Sequence, residues 1–263
     1  MADQVEQFLS LLCVGPFRGE RVEVATGLFR EAELVWSLGR EPRSEVLRRM
    51  PHQILASIGR HPELAAPALS SWFAAPSSRR LARWLIFDSL FNDTSATAKF
   101  LAVAQAWEIL GRDEVNASAA THDKRQYQKA CKAAREALEK YLDASTAKRL
   151  YELARSSNRK SFGDMVREVV SKIPPSAVQA LCPDVDGFVT TVVKVRNVLT
   201  HMEGKKSLSI ETASYLSIFL AYKLIVLFCI YDCVMLGLPL DNLPMTLANN
   251  KTARAALRPL PKL

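Results

Sequence analysis

The sequence has few of the features that mark several common classes of protein. Glycine occurs only ten times in 263 residues and no low-complexity tract is present, which argues against a disordered or fibrous chain. No G-x-x-x-x-G-K-[S/T] loop, H-E-x-x-H pair or G-x-S-x-G elbow occurs, so P-loop ATPases, zinc metalloproteases and α/β-hydrolases lack support. The first residues include no basic segment, and the apolar run after them is too short for a secretory signal.

The sequence also gives little support for disulfide bonds or for a metal site. The cysteines are odd in number, dispersed and without a C-x-x-C pair, at Cys13, Cys131, Cys182, Cys229 and Cys233. This distribution is typical of reduced thiols in a cytoplasmic protein. The histidines are equally scattered, at His52, His61, His122 and His201. We therefore expect no zinc site, no other metal and no cofactor.

Positive charge and apolar residues are both abundant. Lysine and arginine number 35 against 27 acidic residues, a net charge of +8, and 49% of the residues are hydrophobic. The composition predicts a packed, mostly helical core, large enough for one domain and an extension. The charge favours an anionic partner such as RNA.

One apolar run, Tyr215 to Leu238, has about the length of a membrane span. Lys223 and Asp232 interrupt it, and a charge inside a bilayer costs about 2.5–3.5 kcal/mol on insertion scales. The pattern favours a buried bundle helix and no membrane partner. A membrane-associated protein that uses this run is the alternative.

Helical periodicity dominates the rest of the chain. Residues 3–13 form an amphipathic pattern, and the β-branched stretch Arg21 to Leu28 indicates a short strand or a connector. From Glu31 onward the sequence predicts helices separated by prolines, among them a helix from Thr94 that ends at Gly111. The predicted fold is all-α, with additional N-terminal helices and one short possible strand.

A basic helical pair follows, over Asp123 to Leu142 and Ala144 to Arg155. Its charges are either a solvated helix face or a surface that contacts RNA phosphates. On the second interpretation, we expect RNA to be bound by this pair and by two lysines further along, the set being Lys124, Arg125, Lys129, Lys132, Lys205 and Lys206. Tyr127, Tyr141 and Tyr151 could stack on bases.

The stretch Val193 to Gly204 carries the strongest chemical pattern. Asn197 and His201 lie one helical turn apart, and Arg196 lies about 140° around the helix from His201, so its side chain must wrap toward the imidazole. RNA carries its own nucleophile, the 2′-OH, and needs a group near neutral pKa to move protons. His201 suits that task, Arg196 would stabilise charge on the phosphate, and Asn197 would hold the imidazole or ribose. A helix-end histidine that caps carbonyls is the alternative.

The four residues between Arg196 and His201 resemble the R-x4–6-H signature of HEPN ribonucleases. The stretch Phe-Leu-Ala-Val-Ala-Gln-Ala-Trp-Glu-Ile-Leu is similar to the first bundle helix of ApeA-like HEPN domains, which often carries a buried glutamate at the position of Glu108. Glu108 is thus a candidate carboxylate in the cleft near His201. A solvated helix charge and a structural pair with a core arginine are the alternatives.

The resemblance implies a HEPN helical domain over residues 63–238, after an N-terminal extension or linker (1–62) and before a C-terminal tail (239–263). It implies a metal-independent endoribonuclease that dimerises, leaves a 2′,3′-cyclic phosphate and acts on RNA such as tRNA in bacterial anti-phage defence. In the ApeA-like group a β-rich domain precedes the helical one, so an upstream β-rich domain and a phage trigger are possible partners. The alternative function is a non-catalytic HEPN module that binds RNA or a partner protein.

Overall fold

The computed structural model describes residues 2–13, 21–26, 32–37, 55–56, 60–114, 123–156, 160–202, 208–241 and 243–261. Within these ranges the chain is almost entirely helical, which confirms the predicted all-α class. The helices are α1 (Ala2–Cys13), α2 (Ala65–Phe73), α3 (Ser77–Phe91), α4 (Ala96–Glu114), α5 (Lys124–Leu138), α6 (Ala144–Ser156), α7 (Phe162–Ser171), α8 (Pro175–Leu181), α9 (Val185–His201), α10 (Ile210–Met235), α11 (Leu243–Asn249) and α12 (Lys251–Leu257).

A two-stranded hairpin accompanies the helices. Strand β1 (Arg21–Thr26) lies in the stretch predicted as a short strand, and it pairs antiparallel with β2 (Ala32–Ser37). The prediction that helix begins at Glu31 is wrong for β2. The register sets Val22 opposite Trp36 and Val24 opposite Leu34.

Helix α10 is the centre of the bundle. By length and composition it is the one helix in the described ranges that could cross a membrane, and 72% of its apolar window is buried inside the protein. Both of its interrupting charges have partners within the fold. Asp232 pairs with Arg83, and the Lys223 ammonium donates to the carbonyl oxygens of Leu181 (2.6 Å) and Ala256 (2.7 Å). Burial lowers the pKa of Lys223, and the helix packs as a core helix.

Helices α4, α7 and α9 pack around α10 and against one another. The indole Nε1–H of Trp107 on α4 donates to the Leu224 carbonyl of α10 at 3.1 Å. The predicted end of α4 at Gly111 is wrong, because the helix continues to Glu114. Gly111 is buried instead, and a β-carbon there would lie 2.6 Å from the Met165 Cβ of α7. The glycine therefore permits the close approach of α4 and α7.

Candidate active site and nucleic-acid interface

The signature residues Arg196, Asn197 and His201 lie near the C-terminal end of helix α9. Its N-terminus is capped by Asp184, whose side chain accepts a hydrogen bond from the Gly187 N–H at 2.9 Å. The many β-branched residues of α9 are poor helix formers, so the helix is stabilised mainly by the burial of one face. The buried residues are Phe188, Val189, Val192, Val195, Val198 and Leu199. The helix ends at His201, and Met202 follows in the left-handed conformation (φ 52°). The glycine stop predicted at Gly204 lies outside the described residues.

His201 and Asn197 lie on the solvent side of α9. The His201 side chain is exposed and Asn197 is half-buried. Neither side chain forms a hydrogen bond or ion pair with another residue in the described ranges. The exposed Lys194 shares their face, since spacings of three and seven residues place it one turn before Asn197 and two turns before His201.

Arg196 turns toward helix α4. Its Nη2 donates to Glu108 Oε2 at 2.5 Å, and the two side chains are 30% and 20% exposed. The residues that form this pair lie 88 positions apart in the sequence. The guanidinium is therefore held by the carboxylate of a neighbouring helix, and no described contact joins it to the imidazole of His201. Glu108 is therefore ion-paired, but with the partly exposed Arg196 rather than with a core arginine. Its role as a carboxylate in a cleft near His201 stays a prediction.

Two further side chains complete the surroundings of Arg196. Arg112 donates from its Nη2 to the other oxygen of Glu108, Oε1, at 2.5 Å. The Arg196 guanidinium carbon also lies 4.9 Å from the ring centroid of Phe162, the first residue of α7, within cation–π range. Sequence reasoning identified neither residue, although the four-residue spacing of Glu108 and Arg112 is a recognisable helical pair.

The start of α7 is fixed by a reciprocal cap next to Phe162. The Ser161 hydroxyl and backbone N–H both contact the Asp164 carboxylate, and the Asp164 N–H returns a hydrogen bond to the hydroxyl at 3.2 Å. The hydrogen bond from Ser161 holds the pKa of Asp164 below its usual range. This cap fixes the backbone at the start of α7, where the ring of Phe162 lies against Arg196.

Helices α5 and α6 form the predicted basic pair and pack chiefly on each other. Asp143 caps α6 by accepting hydrogen bonds from the N–H groups of Ser145 (3.0 Å) and Thr146 (2.9 Å). The hydroxyl groups of the same two residues also donate to its carboxylate, and chiefly these side-chain hydrogen bonds hold the pKa of Asp143 well below its usual range. Among the described side chains of the two helices, only Cys131 and Ala147 are buried. Helices α5 and α6 thus form a helical hairpin that is largely exposed to solvent.

One face of α5 carries three of the predicted RNA-binding residues. Arg125, Lys129 and Lys132 are exposed, and at 100° per residue they fall within about 60° of one another, on the side turned away from Cys131. Lys132 lies 3.9 Å from Glu136, a loose ion pair. We call these three residues the basic stripe. Lys124 begins α5, and its side chain lies outside the described part of the structure, as do Lys205 and Lys206.

The tyrosines of this hairpin differ in their availability to bases. Tyr127 donates its hydroxyl to the Ala154 carbonyl at 2.7 Å, inside the seam between the helices. The Arg135 guanidinium carbon lies 5.7 Å from the centroid of the Tyr151 ring. Tyr141 is 85% exposed. Of the three, Tyr141 alone presents an open ring face.

Comparison with known proteins gives a family assignment. A family model described as Apea-like HEPN matches residues 101–241, more than half of the chain. The matched range contains Glu108, Arg112 and the whole of α9. No curated protein and no solved structure matches the chain.

Proposed function

The chain belongs to the Apea-like HEPN family, and on that premise we propose that it is a metal-independent endoribonuclease of bacterial anti-phage defence. Membership of the family indicates an RNA-related, nuclease-type role in defence. The finer proposal is that the chain cleaves RNA, with tRNA as the first substrate to test, and acts in the cytoplasm as a toxin-like effector that halts infected cells.

The observation that carries the proposal is the arrangement at the end of α9. His201 is exposed, and Arg196 lies five residues earlier with 30% of its side chain accessible. Glu108 and Phe162 fix the direction of the guanidinium before any substrate arrives. Pre-orientation of this kind avoids the cost of ordering a flexible arginine during the reaction.

The reaction follows from the groups available. The RNA 2′-OH attacks the adjacent phosphorus, a 2′,3′-cyclic phosphate forms, and the 5′-oxygen of the next nucleotide leaves with a proton. His201 moves protons at this centre, Arg196 binds the nonbridging oxygens, and Asn197 orients the ribose or imidazole. Because attack and departure require a base and an acid, we propose a homodimer in which two His201 side chains share one composite cleft.

The basic stripe on α5 would guide the RNA toward this cleft. Arg125, Lys129 and Lys132 are exposed on one face, which suits contacts to phosphates rather than to bases.

A cleavage assay tests the proposal. Purified protein is incubated with bulk tRNA in EDTA, and the rate of the wild type is compared with that of His201→Ala. We expect at least a ~10²-fold loss, with 2′,3′-cyclic phosphate and 5′-OH ends on the wild-type products. His61→Ala is the matched control, because His61 pairs with Asp241 (2.7 Å) and has no place in the proposed site. Equal cleavage by wild type and His201→Ala would refute the nuclease.

A non-catalytic HEPN module that binds RNA or a partner protein is the second candidate. The ion pair between Arg196 and Glu108 favours it, because a guanidinium that already has a carboxylate partner attracts phosphate less strongly. This candidate requires RNA or protein binding that is unchanged in His201→Ala, and no cleavage products from any preparation.

A further inference from the structure

A second arginine converges on the carboxylate that holds Arg196. Arg112, in the last turn of α4, and Arg196, near the end of α9, each donate from Nη2 to a different oxygen of Glu108 at 2.5 Å. The three side chains together carry a net charge of +1. Because one carboxylate bridges the two guanidinium groups, they lie close enough to engage one phosphate or two adjacent ones.

We propose that Arg112 is a phosphate-binding residue of the RNA site, acting beside Arg196. This inference rests on the proposed function, since the ligand is the phosphodiester of an RNA chain. Each guanidinium has five N–H donors in a planar fork, and Glu108 receives one hydrogen bond from each. The other donors can bind phosphate oxygens.

Arg112 and Arg196 differ in side-chain exposure, and this difference assigns them different roles. The Arg112 side chain is 64% exposed, against 30% for Arg196. Arg196 also packs on the Phe162 ring, so its position is fixed by contacts on two sides. Arg112 is held by Glu108 through Nη2 alone, and the rest of its exposed guanidinium can bind an incoming phosphate. It therefore contributes to RNA affinity, while Arg196 faces the reacting phosphate.

Glu108 lowers the net positive charge of the two arginines, Arg112 and Arg196. Its carboxylate neutralises one of the two cations and keeps both guanidinium groups in place. Its negative charge also repels the RNA phosphate, since the three groups meet at a common point. Glu108 is thus a positioning residue that orients Arg196 at some loss of RNA affinity.

The structural alternative is that Arg112 merely stabilises its helix. An arginine in the last turn interacts favourably with the helix dipole, and an exposed pair four residues apart contributes little to stability. That role predicts unchanged RNA binding when Arg112 is removed. Arg254 is a matched control, because it is also an exposed arginine in the last turn of a helix, α12.

Binding measurements in the His201→Ala background decide between the two roles. The affinity for bulk tRNA is measured by fluorescence anisotropy over a salt series, with Arg112→Ala or Arg254→Ala added. We expect Arg112→Ala to weaken binding about tenfold and to reduce the slope of log affinity against log salt by about 0.7–0.9. Its melting temperature should stay within about 2 °C of the parent. Arg254→Ala should change neither affinity nor slope.

The kinetics of Glu108→Gln give a second test, because a salt bridge with a purely structural role predicts different changes in KM and kcat. Loss of the negative charge should lower KM several-fold, while looser orientation of Arg196 lowers kcat. A salt bridge that only supports the fold would leave KM unchanged or raise it.

The outcomes separate this inference from the nuclease proposal. Weaker binding by Arg112→Ala with no cleavage by any variant supports the inference and refutes the nuclease. Cleavage by the wild type with parental affinity and salt slope in Arg112→Ala supports the nuclease and overturns the inference. Failure of the His201→Ala chain to bind RNA overturns the inference as well.

Discussion

Arg83 on α3 and Asp232 on α10 form a two-point ion pair inside the protein. Arg83 Nε lies 2.7 Å from Asp232 Oδ2 and Nη2 lies 2.9 Å from Oδ1, and each side chain is 1% exposed. The remaining guanidinium nitrogen, Nη1, donates to the Trp72 carbonyl at 3.0 Å, and the guanidinium carbon lies 3.6 Å from the Trp72 ring centroid. The carboxylate that interrupts the apolar run of α10 is therefore satisfied within the core.

Asp232→Ala should be strongly destabilising, because it leaves the Arg83 guanidinium buried and without its carboxylate. We expect a loss of about 3–5 kcal/mol in the free energy of unfolding, measured by urea denaturation. The double variant Arg83→Met/Asp232→Leu removes both charges and should lose less than Asp232→Ala. A single variant that costs under about 1 kcal/mol would show that the pair contributes nothing beyond an exposed salt bridge.

Met202→Gly should stabilise the protein. Met202 has φ 52°, a conformation that costs a residue with a β-carbon about 1–2 kcal/mol and glycine almost nothing. Because glycine also makes the unfolded chain more flexible, the expected net gain is about 0.5–1 kcal/mol. Met202→Ala keeps the β-carbon and is the control, with little expected change. Equal stability of the two variants would mean that the left-handed backbone is not strained.

Gly111→Ala should destabilise the protein even though alanine is the better helix former. The new β-carbon would lie 2.6 Å from the Met165 Cβ, so α4 and α7 must separate, at a cost of about 1–3 kcal/mol. Since these helices carry Glu108 and Phe162, we also expect slower RNA cleavage. Gly163→Ala is the control, because its β-carbon would meet its nearest neighbours at 3.4 Å, an ordinary contact. Comparable melting temperatures for the two variants would contradict the close approach.

The same glycine shows what the sequence can and cannot predict. The helix around Trp107 was predictable from its apolar spacing, but the role of Gly111 depends on Met165, more than fifty residues later. Arg196 and Glu108 were both identified as candidates, yet the sequence left three alternatives for Glu108 open because the partner is on another helix. Tyr127 likewise looked available for stacking, while its hydroxyl is committed to the Ala154 carbonyl.

The basic stripe should supply part of the RNA affinity. Replacing Arg125, Lys129 and Lys132 by glutamine removes three positive charges from one exposed face, and should reduce the salt slope of tRNA binding by about 2–3. Ala130→Glu/Ala134→Glu/Ala137→Glu is the control: it changes the net charge by the same amount at exposed positions on another side of α5. Equal effects on affinity would show that net charge alone governs binding, and that the stripe has no specific role.

Arg196→Lys tests whether the shape of the guanidinium matters as well as its charge. Lysine keeps one positive charge but lacks the planar fork that can bind Glu108 and a phosphate at the same time, and it stacks less well on Phe162. We therefore expect RNA binding close to that of the wild type and a cleavage rate at least about tenfold lower in single-turnover assays. Arg254→Lys, on the exposed surface of α12, should cleave normally. A full rate for Arg196→Lys would mean that a point charge suffices at this position, and that the orientation given by Glu108 and Phe162 serves the fold rather than the reaction.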